Sequence, residues 1–67
     1  PLSPRQQEIL NLVAEGLGNK DIAHRMHIAP STARDHVQAI MQKFGVQSRS
    51  AAAVMGIRLG LVSLDRG

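Results

Sequence analysis

The sequence predicts an all-α fold, a compact domain of four helices that spans residues 1–67. Three observations support this: residues that start and stop helices recur along the chain, the apolar residues between them follow the 3.6-residue helical period, and 67 residues without cysteine allow one small core. With 43% hydrophobic and 19% charged residues, the chain is not disordered. No apolar run reaches the roughly 18 residues of a membrane span, so we expect a single soluble domain.

The first helix is predicted over residues 4–15. Ser3 and Gln6 form the capping-box pattern, and Pro4 suits the first helical position. The inward-facing residues are Ile9, Leu10 and Val13. Gly16 favours the left-handed conformation that ends a helix.

A second helix is predicted over residues 19–26, with Gly18 as a permissive cap. Its expected buried residues are Ile22, Ala23 and Met26. Only three residues then precede Pro30, which starts a third helix over residues 30–44. So short a link makes the two helices cross, which is the spacing of a helix-turn-helix unit.

The third helix has two unlike faces. One face is apolar and is expected to be buried: Ala33, Val37, Ile40, Met41 and Phe44. The opposite face carries only hydrogen-bonding side chains: Ser31, Arg34, Asp35, Gln38 and Gln42. Gly45 ends the helix.

The fourth helix is predicted over residues 49–59, from a Ser48 cap to a Gly60 stop, with Leu61 and Val62 packing beneath it. Small residues on one side allow close approach to the core: Ala52, Ala53 and Gly56. A second apolar group is surplus to a monomer core: Ala51, Val54 and Met55. Apolar residues beyond those the core needs indicate a surface that packs against a partner.

Charge and chemistry narrow the function. The net charge of +3 arises between residues 19 and 49, and no carboxylate pair, activated nucleophile or phosphate-binding glycine loop is evident, so we expect no enzyme and no cofactor. His24 and His27 straddle a helix end without a third ligand, so we expect no metal.

Motifs along nearly the whole chain carry a family resemblance: Leu2-Ser3-Pro4-Arg5, Glu8-Ile9-Leu10, Gly16, Asn19-Lys20-Asp21-Ile22-Ala23, Ser31-Thr32-Ala33-Arg34-Asp35-His36, Lys43-Phe44-Gly45-Val46 and Arg49. The chain resembles the LuxR/FixJ-type helix-turn-helix domain. That resemblance implies the DNA-binding output domain of a cytoplasmic bacterial transcriptional regulator, with an upstream receiver or small-molecule-binding sensor. Because the chain begins at Pro1 without a Met, we expect a piece of a longer regulator.

The polar face of the third helix suits the major groove, where each base pair presents its own donor and acceptor pattern. The resemblance places three of its residues against base edges: Arg34, Asp35 and Gln38. Asp35 could instead pair with Arg34 and orient it. The resemblance places six residues against the DNA backbone: Lys20, Ser31, Thr32, His36, Lys43 and Arg49. His36 is equally compatible with a histidine packed between helices.

The resemblance also implies dimerisation through the fourth helix, at Ala51, Val54, Met55 and Arg58. A twofold dimer would read two half-sites about 34 Å apart, and contact with RNA polymerase is possible. The alternative function is a helical protein-interaction module or a sigma-like polymerase-contacting module that uses the same apolar residues.

Two departures from the family pattern concern helix starts. The family usually has Ser or Thr where this chain has Gly18 and Ala29. A missing hydroxyl cap at Ala29 costs about 1 kcal/mol, and glycine at a cap costs a few tenths. The second and third helices should therefore start less firmly than the family pattern.

Overall fold

The computed structural model describes residues 2–62, and within them it has four α-helices. These are α1 (Pro4–Ala14), α2 (Asn19–Met26), α3 (Pro30–Phe44) and α4 (Arg49–Arg58). The all-α prediction is confirmed, and α1 and α4 each end one residue earlier than predicted, which is ordinary variation at helix ends. No helix in the described part of the chain could cross a membrane.

A thin aliphatic core joins the four helices. It consists of Ile9, Leu10, Val13, Ile22, Ala23, Ala33, Val37, Ile40, Ala52 and Val62. Helix α1 packs against each of the other three, and α2 packs mainly against α3. Met26, Met41 and Phe44 were expected inside but are only partly buried at the core margin, since each lies near a helix end.

The chain after α4 closes the core differently from the prediction. Val62 is buried as expected, whereas Leu61 is 39% exposed. Ahead of it, Gly56 lies so close to α1 that an added Cβ would be 3.0 Å from Leu10 Cδ2 and 3.2 Å from Val62 Cγ2. The prediction that small residues let α4 approach the core therefore holds at Gly56.

The helix starts fall into two classes. The Ser3 hydroxyl accepts the Gln6 N–H at 3.1 Å while Gln6 Oε1 accepts the Ser3 N–H at 3.0 Å, so the capping box is present. The Ser48 hydroxyl likewise accepts from the Ala51 N–H at 3.0 Å. Gly18 and Ala29, which precede α2 and α3, provide no side-chain hydrogen bond. The absence of a side-chain cap at Gly18 and Ala29 agrees with the sequence, and the weaker start of α2 and α3 relative to the family pattern stays a prediction.

The helix ends share one design. A residue with positive φ follows each described helix: Gly16, His27, Gly45 and Gly60. After α2 the Ile28 N–H donates back to the Ala23 carbonyl at 3.0 Å, and after α3 the Val46 N–H donates to the Met41 carbonyl at 3.0 Å. These bonds supply donors to carbonyl groups that have no partner within the helix. His27, at φ 58°, takes a conformation that favours glycine and was not predicted.

Candidate nucleic-acid interface

Helices α2 and α3 form a crossed pair joined by three residues, His27, Ile28 and Ala29. The left-handed backbone of His27 turns the chain sharply, and Ile28 packs against the core beneath the turn. Pro30 then begins α3. The short link fixes α3 against α2 in the helix-turn-helix arrangement that the spacing predicted.

Helix α3 separates its two faces as predicted. Ala33, Val37 and Ile40 are buried against the other helices. The polar residues opposite are all exposed: Ser31, Arg34, Asp35, Gln38 and Gln42. A helix with one polar face turned outward can enter the major groove without disturbing the core.

Two of the residues expected at the bases interact with each other. Arg34 Nη2 lies 3.7 Å from Asp35 Oδ1, and the two side chains are 59% and 70% exposed. An ion pair this exposed adds at most about 1 kcal/mol to stability, so it does not lock either side chain. The pairing of Asp35 with Arg34, one of the two roles considered for this carboxylate, occurs in the free domain.

The first turn of α3 offers backbone donors to an anion. Pro30 has no N–H, Ser31 and Thr32 are exposed, and Ala29 cannot cap them. The positive end of the helix dipole lies at the same place, which favours a phosphate oxygen. Lys20, in the first turn of α2, is likewise exposed.

The other expected backbone-contacting residues are more constrained. His36 is half-buried on α3. Lys43 Nζ lies 3.0 Å from Gln6 Oε1, which places its ammonium group at the start of α1. Arg49 is half-buried, and its guanidinium donates to Asn19 Oδ1 and, at 2.7 Å, to the Leu17 carbonyl oxygen.

Sequence reasoning gave no role to Asn19 or Leu17, although both hold Arg49. Asn19 lies within the motif Asn19-Lys20-Asp21-Ile22-Ala23, but its polar side chain suits a helix start as well as an arginine contact. Nothing in the linear pattern distinguishes the two, because the bond joins residues 30 positions apart.

The dimer seam, meaning the four residues of α4 predicted to form the dimer contact, is only partly exposed. Val54 is 49% exposed and Arg58 is exposed, whereas Ala51 and Met55 are half-buried. Three further apolar residues are exposed around the end of α4: Ile57, Leu59 and Leu61. The apolar surface is therefore wider than the sequence indicated and extends toward the end of the described chain.

Comparison with known proteins identifies the family. Residues 1–56 match GerE, the family described as bacterial regulatory proteins, luxR family. The chain belongs to the LuxR family. The solved structure of the transcription factor GerE superposes on this LuxR-family domain with a TM-score of 0.88, at 39% identity over 96% of each chain. The all-α architecture is thus that of a LuxR-type helix-turn-helix DNA-binding domain.

Longer regulators contain similar domains. An uncharacterized transcriptional regulatory protein of Bacillus subtilis, YxjL, is 42% identical over 92% of this LuxR-family chain and 28% of its own length. The nitrate/nitrite response regulator protein NarL of Escherichia coli is 47% identical over 79% of the chain and 24% of its own length. The chain spans about a quarter of the length of these two relatives.

Proposed function

We propose that this domain binds double-stranded DNA sequence-specifically by inserting α3 into the major groove. The observation that carries the proposal is the exposed polar face of α3, which lies opposite a face that buries Ala33, Val37 and Ile40. On that face, Arg34 pairs with a guanine through two hydrogen bonds, Gln38 pairs with an adenine, and Asp35 accepts from a cytosine amino group. The exposed pairing of Arg34 with Asp35 in the free domain leaves both side chains free to turn toward a base.

The backbone of the duplex is held from several sides. Lys20 and Lys43 supply charge, His36 supplies a ring N–H, and the hydroxyls and N–H groups of Ser31 and Thr32 supply hydrogen bonds. Arg49 has two candidate roles: the predicted phosphate contact or, because its guanidinium is engaged within the domain, the positioning of the start of α2. Roughly three to four cationic contacts give a slope of log affinity against log salt of about −3 for one domain and about twice that for a pair.

Base reading and backbone binding are separable by mutation. Selection from random duplexes first supplies a preferred site. Arg34→Ala should then weaken binding to that site by about 1–3 kcal/mol and relax the base preference, because one paired base loses its partner. Lys20→Ala should weaken binding to every duplex to a similar degree and reduce the salt slope by about 1.

Two outcomes would contradict this proposal. If Arg34→Ala weakened all duplexes equally, α3 would not be the reading helix. If selection enriched no site and binding did not respond to salt, the results would favour the alternative function. That alternative is a helical protein-interaction or polymerase-contacting module that uses the exposed apolar end of α4.

We further propose that the domain binds as a homodimer through α4, at Ala51, Val54, Met55 and Arg58. These residues lie at i, i+3, i+4 and i+7 and so share one side of the helix. The exposure of Val54 supports the proposal, since a bulky apolar residue on a monomer surface favours a partner. A twofold pair of α3 helices then reads two half-sites about one duplex turn, ~34 Å, apart.

The dimer contact is tested by Val54→Asp, with Ser50→Asp as the control that places the same charge at an exposed polar position of the same helix. Val54→Asp should abolish cooperative binding to a two-half-site duplex and leave binding to one half-site within about twofold, because like charges would face each other across the axis. Equal cooperativity in Val54→Asp and the parent would remove this seam.

The domain serves as the output module of a cytoplasmic bacterial transcriptional regulator of the response-regulator or quorum-sensing type. The similar YxjL and NarL, a transcriptional regulatory protein and a response regulator that are both longer than this chain, support this proposal. Expression of the intact gene product, followed by comparison of operator affinity with and without its activating signal, tests it. Identical affinity in both states would exclude control through DNA binding.

A further inference from the structure

The Arg49 guanidinium joins three segments that are distant in sequence. Arg49 is the first residue of α4, its Nη2 donates to the Leu17 carbonyl oxygen at 2.7 Å, and its Nη1 donates to Asn19 Oδ1. Leu17 lies in the loop after α1, and Asn19 is the first residue of α2. One half-buried side chain thus ties α4 to the beginning of the helix-turn-helix unit.

The start of α2 lacks a side-chain cap of its own. Gly18 gives it no side-chain cap, and α2 is only eight residues long. Over the described residues 2–62, α2 and α4 contribute to one core but do not pack directly against each other, so the Arg49 side chain is a direct link between them. Lys20, an exposed residue expected to bind a phosphate, comes directly after Asn19.

We infer that Arg49 is a positioning residue for DNA binding: it fixes Leu17 and Asn19 so that the first turn of α2 presents Lys20 to the phosphate backbone. This inference rests on the proposed function. The planar guanidinium donates to two acceptors in a fixed relative orientation, which a lysine ammonium on a flexible stem cannot reproduce. Hydrogen bonds from a charged donor are also the stronger kind, so the link resists fraying of the uncapped turn.

The competing role for Arg49 is a direct contact with a phosphate. To make that contact, the guanidinium would have to leave Asn19 and Leu17 or share its donors with the phosphate. The two roles differ in what they require of Asn19, a neutral residue. If Arg49 positions α2, removing the Asn19 amide should weaken DNA binding. If Arg49 contacts a phosphate, removing that amide frees its guanidinium and should not weaken binding.

The experiment measures affinity for the preferred duplex across a salt series, at a temperature where every variant is folded. Arg49→Lys keeps the charge but cannot reach both acceptors, and we expect about tenfold weaker binding. Asn19→Ala should weaken binding to that duplex several-fold. The double variant with Asn19→Ala and Arg49→Lys should bind no more weakly than Arg49→Lys alone. Arg5→Gln, which removes a charge from an exposed residue of α1, is the control for general electrostatics.

A second comparison combines Arg49→Gln with Lys20→Ala. If Arg49 acts through the first turn of α2, the slope of log affinity against log salt should fall by about one unit in this double variant. Lys20→Ala alone should lower it by the same amount. A loss of about two units, with Asn19→Ala harmless, would make Arg49 a phosphate contact and overturn the inference. Unchanged affinity in folded Arg49→Lys would reduce Arg49 to a stabilising role. If the parent domain itself bound no DNA, the proposed function would fail instead.

Discussion

Installing a cap on the recognition helix should stabilise the whole domain. Ala29 precedes α3 with φ −72° and ψ 148°, close to the φ −69° and ψ 161° of Ser3, which caps α1. In Ala29→Ser the hydroxyl would therefore reach the Thr32 N–H, as Ser3 reaches Gln6 and Ser48 reaches Ala51. Because Ala29 is exposed, no packing is lost.

The expected gain is about 1 kcal/mol in the free energy of unfolding, which raises the melting temperature of a domain this small by about 4–8 °C. Gly18→Ser should gain only a few tenths of a kcal/mol, since glycine already tolerates the cap position. Ser48→Ala is the reverse control and should lose about 1 kcal/mol. Unfolding is followed by far-ultraviolet circular dichroism, because the chain has no Trp or Tyr. Unchanged stability in Ala29→Ser beside a destabilised Ser48→Ala would refute the reasoning.

Two further substitutions test packing and base reading. Gly56→Ala gains about 1 kcal/mol of helix propensity, but its Cβ would lie 3.0 Å from a side chain of the fully buried Leu10, and such overpacking costs about 1–3 kcal/mol. We expect a net loss of about 1 kcal/mol in urea unfolding, and a stabilised variant would contradict the close approach. Asp35→Asn should raise affinity for unrelated duplexes, through the lost negative charge, and lower the ratio of specific to unrelated binding up to about fivefold, because the site loses the carboxylate proposed to accept from a cytosine amino group. Competition binding measures that ratio, and an unchanged value would remove Asp35 from base reading.

Local sequence signals were sufficient for most of the fold. Helix starts at Ser3 and Ser48 and the helix end at Gly45 depend on hydrogen bonds within a few residues, so their chemistry is visible in the linear pattern. The left-handed His27 was not predictable in this way. Histidine adopts that conformation more often than most residues but far less often than glycine, and here the bond from the Ile28 N–H to the Ala23 carbonyl and the packing of Ile28 favour it.

The candidate site was predictable to the level of helix faces. The exposure of Arg34 and Gln38 follows from the apolar period of α3 alone. What Arg49 touches does not follow, because a long cationic side chain can face solvent or fold inward, and the choice depends on how α1 and α4 pack. The wider apolar surface at Leu59 and Leu61 was likewise invisible, since the period of a helix says nothing of the turn beyond it.

Helix α1 touches every other helix of the described chain, so the crossed pair α2–α3 shares its core with the rest of the domain. Ile22 and Val37 belong to the same core cluster as Ile9 and Leu10 of α1 and Ala52 of α4. If α2 and α3 were transferred to another scaffold without α1 and α4, their core residues would lose part of their packing and become exposed to water. We expect such a graft to collapse or aggregate. Changes of DNA target in this domain are therefore confined to exchanges of outward side chains on an intact four-helix frame.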